Sequence, residues 1–371
     1  MNEQGRRRFL AGATGALVVG FDTSRRSWVT EAQASGGSVA LLPGLDGELT
    51  TDPAALDEAA DDFGHIVHRR PIAVLRPGSY DDIAKLLAFS NLFGIKLAGR
   101  GAGHSTFGQA QARGGFVIDM RTLAAVHDVS PAGAVVDAGV RWSAVLGATL
   151  PEGLTPPVLT DYIETTPGGT LSVGGIGGAT HRHGLQIDNV EALEVVTGDG
   201  QLVHCSPSVR PGLFQSVLGG LGQFAVMVRT TLSVKPAPAR ARIYTALYTD
   251  LDAYVADQST LALEERFDYL EGQIVPDGAG GWNYLLEAGA YYTPPDEPDD
   301  DALLAGLAFD QLAAPPDDRP YFDWLNRLAP IIEQFYIPSG FWFTPHPLCD
   351  LFLPASAAPA FVTQLTSVLG P

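Results

Sequence analysis

A histidine set among glycines is the first place in this chain where residue types and spacing point to chemistry. Gly99-Arg100-Gly101-Ala102-Gly103-His104-Ser105 follows the apolar run Ile95–Ala98. Glycine admits φ > 0 and offers bare backbone N–H groups, so a planar or charged cofactor can approach such a loop closely. A second cluster runs Thr166-Pro167-Gly168-Gly169-Thr170-Leu171-Ser172-Val173-Gly174-Gly175-Ile176-Gly177-Gly178. Thr166, Thr170 and Ser172 supply hydroxyls, and its exposed amides suit a phosphate. Pro167, Leu171, Val173 and Ile176 predict a buried loop around a ligand rather than a solvent-facing turn.

Two other patterns carry less. Gly220-Leu221-Gly222-Gln223-Phe224-Ala225 fits G-x-G-x-x-A, but a dinucleotide fingerprint needs a strand before it and a helix after it. The pattern here predicts the reverse order, a helix over 213–218 and a strand over 225–234, which excludes that reading. His181 and His183 have the spacing of an H-x-H metal pair, yet no third ligand accompanies them and the structural reading is preferred. The chain's two cysteines, Cys205 and Cys349, lack metal spacing. They read as buried fillers, one disulfide between them being conceivable but not implied.

The elements that must position these residues alternate between helix and strand. Ala73–Leu75 reads as a strand, and Ser79 with Asp82 resembles a capping box opening a helix through Phe93. Strands follow at Ile95–Ala98, Phe116–Asp119 and Val135–Asp137, then a helix over 142–150. Gly198-Asp199-Gly200 turns a hairpin between 192–197 and 201–204. Pro236-Ala237-Pro238-Ala239-Arg240 breaks the pattern and predicts a domain boundary near 236–242. Beyond it come longer strands at 244–248, 267–274 and 283–292, with helices over 250–264 and 301–308.

The chain's 371 residues allow two domains, and 46% apolar with 18% charged residues fits a soluble globular enzyme. Forty-two glycines and 27 prolines predict many tight turns. A net charge of −19 repels phosphate backbones and anionic lipid, which argues against nucleic-acid or membrane partners. Residues 1–34 read as a twin-arginine signal peptide: Arg6-Arg7-Arg8-Phe9-Leu10, an apolar run from Ala11 to Val19, then Ala32-Gln33-Ala34 as a cleavage site. That implies export to the periplasm or beyond. The abrupt end at Leu369-Gly370-Pro371 reads as a truncation.

Several motifs in order resemble a known family. His104-Ser105 with Gln109, then Thr160-Asp161-Tyr162, then the second glycine cluster, resemble the flavin domain of the vanillyl-alcohol oxidase / p-cresol methylhydroxylase (PCMH) superfamily. Arg182-His183-Gly184 with Gln186 and Asn189-Val190, Val195 to Gly200, Leu218 to Phe224, Phe267-Asp268-Tyr269-Leu270-Glu271-Gly272 and Pro345-His346-Pro347 resemble cytokinin dehydrogenase. The resemblance runs from about Asp62 to the end. It implies an α+β fold with a PCMH-type FAD-binding domain over 35–240. A substrate-binding domain follows over 241–371, an antiparallel sheet with flanking helices, incomplete at its C-terminus.

The resemblance further implies FAD attached covalently through one histidine, His104, whose imidazole must be neutral to attack the flavin. Gly101, Ala102, Gly103, Ser105 and Gln109 would line the same loop, and Asp161, Thr166, Ser172, Ile176 and Val226 would contact FAD. No cysteine lies between 161 and 204, so a second, cysteinyl link is not expected. Asp161 matches the aspartate that accepts the substrate's N–H, and Glu271 the glutamate that contacts the adenine ring. The implied reaction oxidises the secondary amine side chain of an N6-substituted adenine to an imine, which water splits to adenine and an aldehyde. Oxygen or a quinone would be the electron acceptor. Two departures stand out: Ala102 replaces the family's arginine, and Leu348-Cys349-Asp350 replaces Trp-Leu-Asn at the substrate pocket. These leave room for a related FAD-linked oxidase of alcohols or sugars, and the chain's end for an inactive fragment or ligand-binding remnant.

Overall fold

The structure, a computed structural model, describes residues 18–22, 27–30 and 39–370. The twin arginines, most of the apolar run after them and Ala32–Ala34 lie outside the described residues. Val18–Asp22, Ser27–Thr30 and Val39–Leu41 pair as a small antiparallel sheet.

A four-stranded sheet follows, in the order Glu48–Thr50, Ala73–Arg76, Phe116–Asp119, Leu97–Arg100. Its last three strands run parallel. Phe116–Asp119 is buried along its whole length, as a continuous apolar run in a parallel sheet requires. Helix Tyr80–Leu92 covers one face through Ile83, Leu86 and Phe89. The strand expected at Ile95–Ala98 starts two residues later, because Gly99 and Arg100 pair with Ile118 and Asp119. The sheet therefore delivers the chain directly into Gly101.

Ser79 caps helix Tyr80–Leu92, accepting from the Asp82 N–H. Asp82 does not complete the expected box. Its buried carboxylate accepts from the N–H groups of Gly78 (2.8 Å), Asp46 (2.7 Å) and Gly47 (2.8 Å), tying an upstream loop to the helix.

A five-stranded antiparallel sheet has the order Leu202–Cys205, Val190–Thr197, Ala225–Leu232, Gly133–Asp137, Val126–Ser130. Helices Trp142–Thr149, Pro167–Val173 and Pro211–Val217 contribute to its core. The first half of the second glycine cluster is thus a helix rather than the expected loop: Thr166 caps it, accepting from the Gly169 N–H, and Pro167 occupies its first position, where a missing N–H costs nothing.

A further antiparallel sheet begins at Arg240, with the order Tyr269–Pro276, Trp282–Tyr292, Arg240–Tyr248, Gln311–Leu312; Asp317–Pro320 also pairs with the Arg240 strand. Helix Leu251–Glu264 packs on it. The expected helix at 301–308 is shorter, Asp300–Leu304. One apolar core runs through both sheets, from Ala134 and Trp142 to Ile243, Tyr269 and Trp324. Cys205 lies in that core, but Cys349 is exposed, contrary to its reading as a filler; both are free. Among the described residues no helix is long and apolar enough to cross a membrane.

Replacing Asp82 with Ala would strand three backbone donors, a loss expected to cost about 3 kcal/mol or more. Urea unfolding of the pair checks this; a loss below about 1 kcal/mol would remove Asp82 from that role.

Candidate active site

The loop after strand Leu97–Arg100 is fixed by its carbonyls. Those of Gly103 and Ser105 accept from the N–H groups of Phe63 (2.9 Å) and Gly64 (3.2 Å). Buried Asp62 accepts from the Gly108 N–H (2.7 Å) and the Ser105 hydroxyl (3.0 Å). Gln109 accepts from the Phe107 N–H (2.9 Å). The N–H groups from Gly101 to Thr106 find no acceptor among the described residues. A run of backbone donors without protein partners is an anion site in waiting.

Thr166 closes one side of this loop: a Cβ on Gly101 would lie 2.1 Å from its hydroxyl. Val226 packs beneath Gly99, where a Cβ would meet its side chain at 3.8 Å. Ser172 spends its hydroxyl on the Gly168 carbonyl (2.7 Å). Val173, Ile176, Leu221 and Phe224 are large, apolar and exposed. They sit on adjoining segments, joined where the Leu221 N–H donates to the Ser172 carbonyl (2.8 Å).

His104 leaves the donor loop and stacks on Phe63, with ring centres 4.1 Å apart and planes at 21°. His346 stacks on Phe63 at 4.3 Å and 19°, so Phe63 is held between two imidazoles. Tyr162 and Trp342 flank His104 at 5.1 and 5.9 Å. Burial, helped by the neighbouring His346, pushes the His104 pKa down to about 4. The imidazole is therefore neutral at physiological pH, the state in which its nitrogen lone pair is nucleophilic.

Next to Tyr162, Asp161 opens a second cluster. The Tyr269 hydroxyl donates to Asp161 (2.8 Å) and makes a short hydrogen bond to Glu271. Arg327 donates to Asp161 (2.8 Å) and to the Tyr269 oxygen (2.6 Å), and lies 3.5 Å from Glu271 and 3.9 Å from Glu287. Its guanidinium rests on the Trp324 ring, 3.9 Å from the centre. Burial works against the Arg327 charge, yet Tyr269 and Asp161 more than offset this and raise its pKa. Burial, with the Asp161 charge, raises the pKa of Glu271; burial, against the pull of Arg327, raises that of Glu287. Burial and the Asp161 carboxylate raise the Tyr269 phenol too, so it stays a donor. A cleft between Pro156, Leu159, Asp161, Tyr269, Tyr321 and Arg327 opens here.

The glycine cluster ties the two regions together. The Gly178 carbonyl accepts from the Leu270 N–H (2.9 Å), and a Cβ on Gly178 would lie 2.1 Å from the Tyr269 ring. His181 lies within hydrogen-bond distance of the Gly178 and Phe267 carbonyls, and His183 of the Lys235 amine (2.8 Å).

The comparisons with known proteins agree with this geometry. Residues 71–206 match the model of an FAD binding domain. An uncharacterized oxidoreductase of the fasciation locus of Rhodococcoides fascians is 44% identical over 325 residues, covering 88% of this chain and 74% of the relative. Cytokinin dehydrogenase 4 of Arabidopsis thaliana is 37% identical, with 86% and 70% covered; cytokinin dehydrogenase 6 of Oryza sativa is 38% identical, with 87% and 72% covered. The chain belongs to the cytokinin dehydrogenase family. As a cytokinin dehydrogenase homologue it is an FAD-dependent oxidoreductase. The fold is shared with 6-hydroxy-D-nicotine oxidase of Arthrobacter nicotinovorans, at a TM-score of 0.65 and 23% identity over 78% of this chain and 65% of that one.

FAD fits the residues present. Unpartnered amides from Gly101 to Thr106 suit a pyrophosphate, and exposed Val173, Ile176, Leu221 and Phe224 offer apolar cover to its rings. Of the residues singled out in the sequence, Gly101, Ala102, Gly103, His104, Ser105, Gln109 and Thr166 gather around the loop, with Val226 beneath it. Asp161 and Glu271 meet at Tyr269. Sequence reasoning assigned no role to Phe63, Tyr269, Glu287, Arg327, Trp342 or His346. Tyr269 and His346 lie within the segments Phe267–Gly272 and Pro345–Pro347 that resemble the family, which is the one signal the sequence offers for them.

Because the folded His104 pKa is depressed, its stabilising contribution is full above 6.5 and is lost as pH falls towards about 4. In flavin-free protein, His104→Gln is expected to flatten the decline of Tm across that window. An equally steep decline in both proteins would contradict a neutral, half-buried His104.

Proposed function

We propose that this member of the family oxidises the secondary amine side chain of N6-substituted adenines, yielding adenine and an aldehyde. The observation that carries the reading is the Asp161 carboxylate, held by Arg327 and Tyr269 one residue from the Tyr162 ring that flanks His104. FAD, when bound, would supply the two-electron acceptor for oxidation of the carbon next to the amine nitrogen. Asp161 accepts a hydrogen bond from the substrate N–H and relieves the nitrogen of its proton as the C–N bond gains double-bond character. Arg327 and Tyr269 fix the direction of the Asp161 oxygens, which orients the amine carbon. Glu271 meets the purine. Loss of the C–H hydride and the N–H proton leaves an imine; water adds across C=N and expels adenine as the amine.

His104, neutral and flanked by aromatic rings, is the residue to which FAD would be joined, through a single link. Residues 1–34 support export by the twin-arginine route. The departure at Leu348-Cys349-Asp350, all exposed, is the feature that favours a different substrate on the same redox frame, an alcohol or a sugar.

Anaerobic mixing with isopentenyladenine is expected to bleach the flavin band near ~450 nm. A protein that stays yellow would direct the substrate search to alcohols and sugars. Asp161→Asn is expected to slow that bleaching at least ~100-fold; an unchanged rate would remove the carboxylate from the chemistry. Acid-precipitated protein is expected to retain its flavin, and His104→Ala to release it.

A further inference from the structure

Glu271 and Glu287 face each other directly on adjacent antiparallel strands, Tyr269–Pro276 and Trp282–Tyr292. Directly opposed residues in such a ladder point to the same side with Cβ atoms about 5 Å apart, and like charges there repel. Both carboxyls approach a single nitrogen of Arg327, at 3.5 and 3.9 Å, and that nitrogen already donates to Asp161 at 2.8 Å. Three carboxylates thus converge on one cation. The guanidinium can balance one of them; Asp161 has the shortest ion pair and a phenol donor besides.

We propose that Glu287 is a positioning residue of the site, sharing one proton with Glu271 across the sheet while Arg327 keeps Asp161 as the carboxylate. Two like-charged carboxyls opposed on one side of a sheet and partly screened from water hold a proton between them rather than ionise together. The other charged group near the pair is Arg319, on the strand Asp317–Pro320; Tyr254 of helix Leu251–Glu264 packs on the opposite face of the sheet, against Gly272. Neither supplies a second cation at the pair as close as Arg327.

The functional content is a pattern beside the cleft that Asp161 lines: an acceptor, Asp161, joined through the Tyr269 hydroxyl to a carboxyl that can donate, Glu271. A ligand matches it by offering an N–H next to a basic ring nitrogen, as an N6-substituted adenine does. This last step rests on the substrate reading above; the shared proton does not.

The test uses the flavin-loaded full chain without substrate, following Tm from pH 4.5 to 8. Carboxyls whose folded pKa is raised contribute stability that is full below the unfolded value and is lost as pH rises through the folded one. Glu287→Gln removes that loss, so its Tm is expected to gain on the parent by on the order of 2 °C as pH rises across the window. Glu271→Gln should give the same gain, and the double substitution no more than either alone, because one proton is shared. A difference that is flat with pH, or gains that add in the double variant, overturns the proposal. If Glu287→Gln does not fold, Glu287→Met, of similar length and without a charge, carries the same comparison. Since no substrate enters, failure to bleach with isopentenyladenine would sink the substrate reading and leave this result standing.

Discussion

One buried positive charge among three carboxylates is the constraint on which the site depends. Arg327 follows the short helix Tyr321–Leu325, whose Tyr321, Trp324 and Leu325 are all buried. That helix is anchored from two directions: Tyr321 reaches the Thr155 hydroxyl at 3.2 Å, and the Trp324 ring N–H donates to Tyr291 at 3.1 Å. Its packing aims the guanidinium, which then sits over the Trp324 ring. A buried charge without partners would be ruinous, and buried acids without a cation equally so. The cluster and the helix that points Arg327 into it therefore stand or fall together.

A second constraint is proximity. The chain passes from the glycine cluster to the Tyr269 strand at a distance that leaves no room for a side chain at Gly178. The same approach lets the Gly178 carbonyl take the Leu270 N–H. The second glycine cluster and the strand that carries Tyr269 and Glu271 are thereby in direct backbone contact, and one apolar core runs through both sheets. A small displacement of either would be felt at the other.

The elements with local signals were legible in the sequence. Helix Tyr80–Leu92 announced itself through Ser79 and its apolar face, and the hairpin of Val190–Thr197 with Leu202–Cys205 through its glycine turn. The donor loop and His104 were visible because glycine has few reasons to recur at that density. What escaped was long-range. Asp82 looked like a local capping residue, but its partners Asp46 and Gly47 lie far upstream. Arg327 meets Asp161 across 166 positions, and no spacing rule connects them. Glu287 sits in an alternating strand where it reads as an ordinary outward residue; only the register with Glu271 gives it meaning. The helix in the glycine cluster was missed because glycine disfavours helix, and burial of Leu171 together with the Thr166 cap overrides that preference.

The Phe63 stack also imposes an order of events. The surroundings of His104 draw on Phe63 near the start of the described chain and on Trp342 and His346 near its end, with the His346 N–H donating to the Gly64 carbonyl at 2.9 Å. Contacts so distant along the chain close late, since their loop entropy must be met first. During synthesis the imidazole is an ordinary solvated histidine; it becomes a half-buried, stacked one after the ribosome has delivered residue 346. Maturation of this centre is thus a property of the folded chain and not of the nascent one.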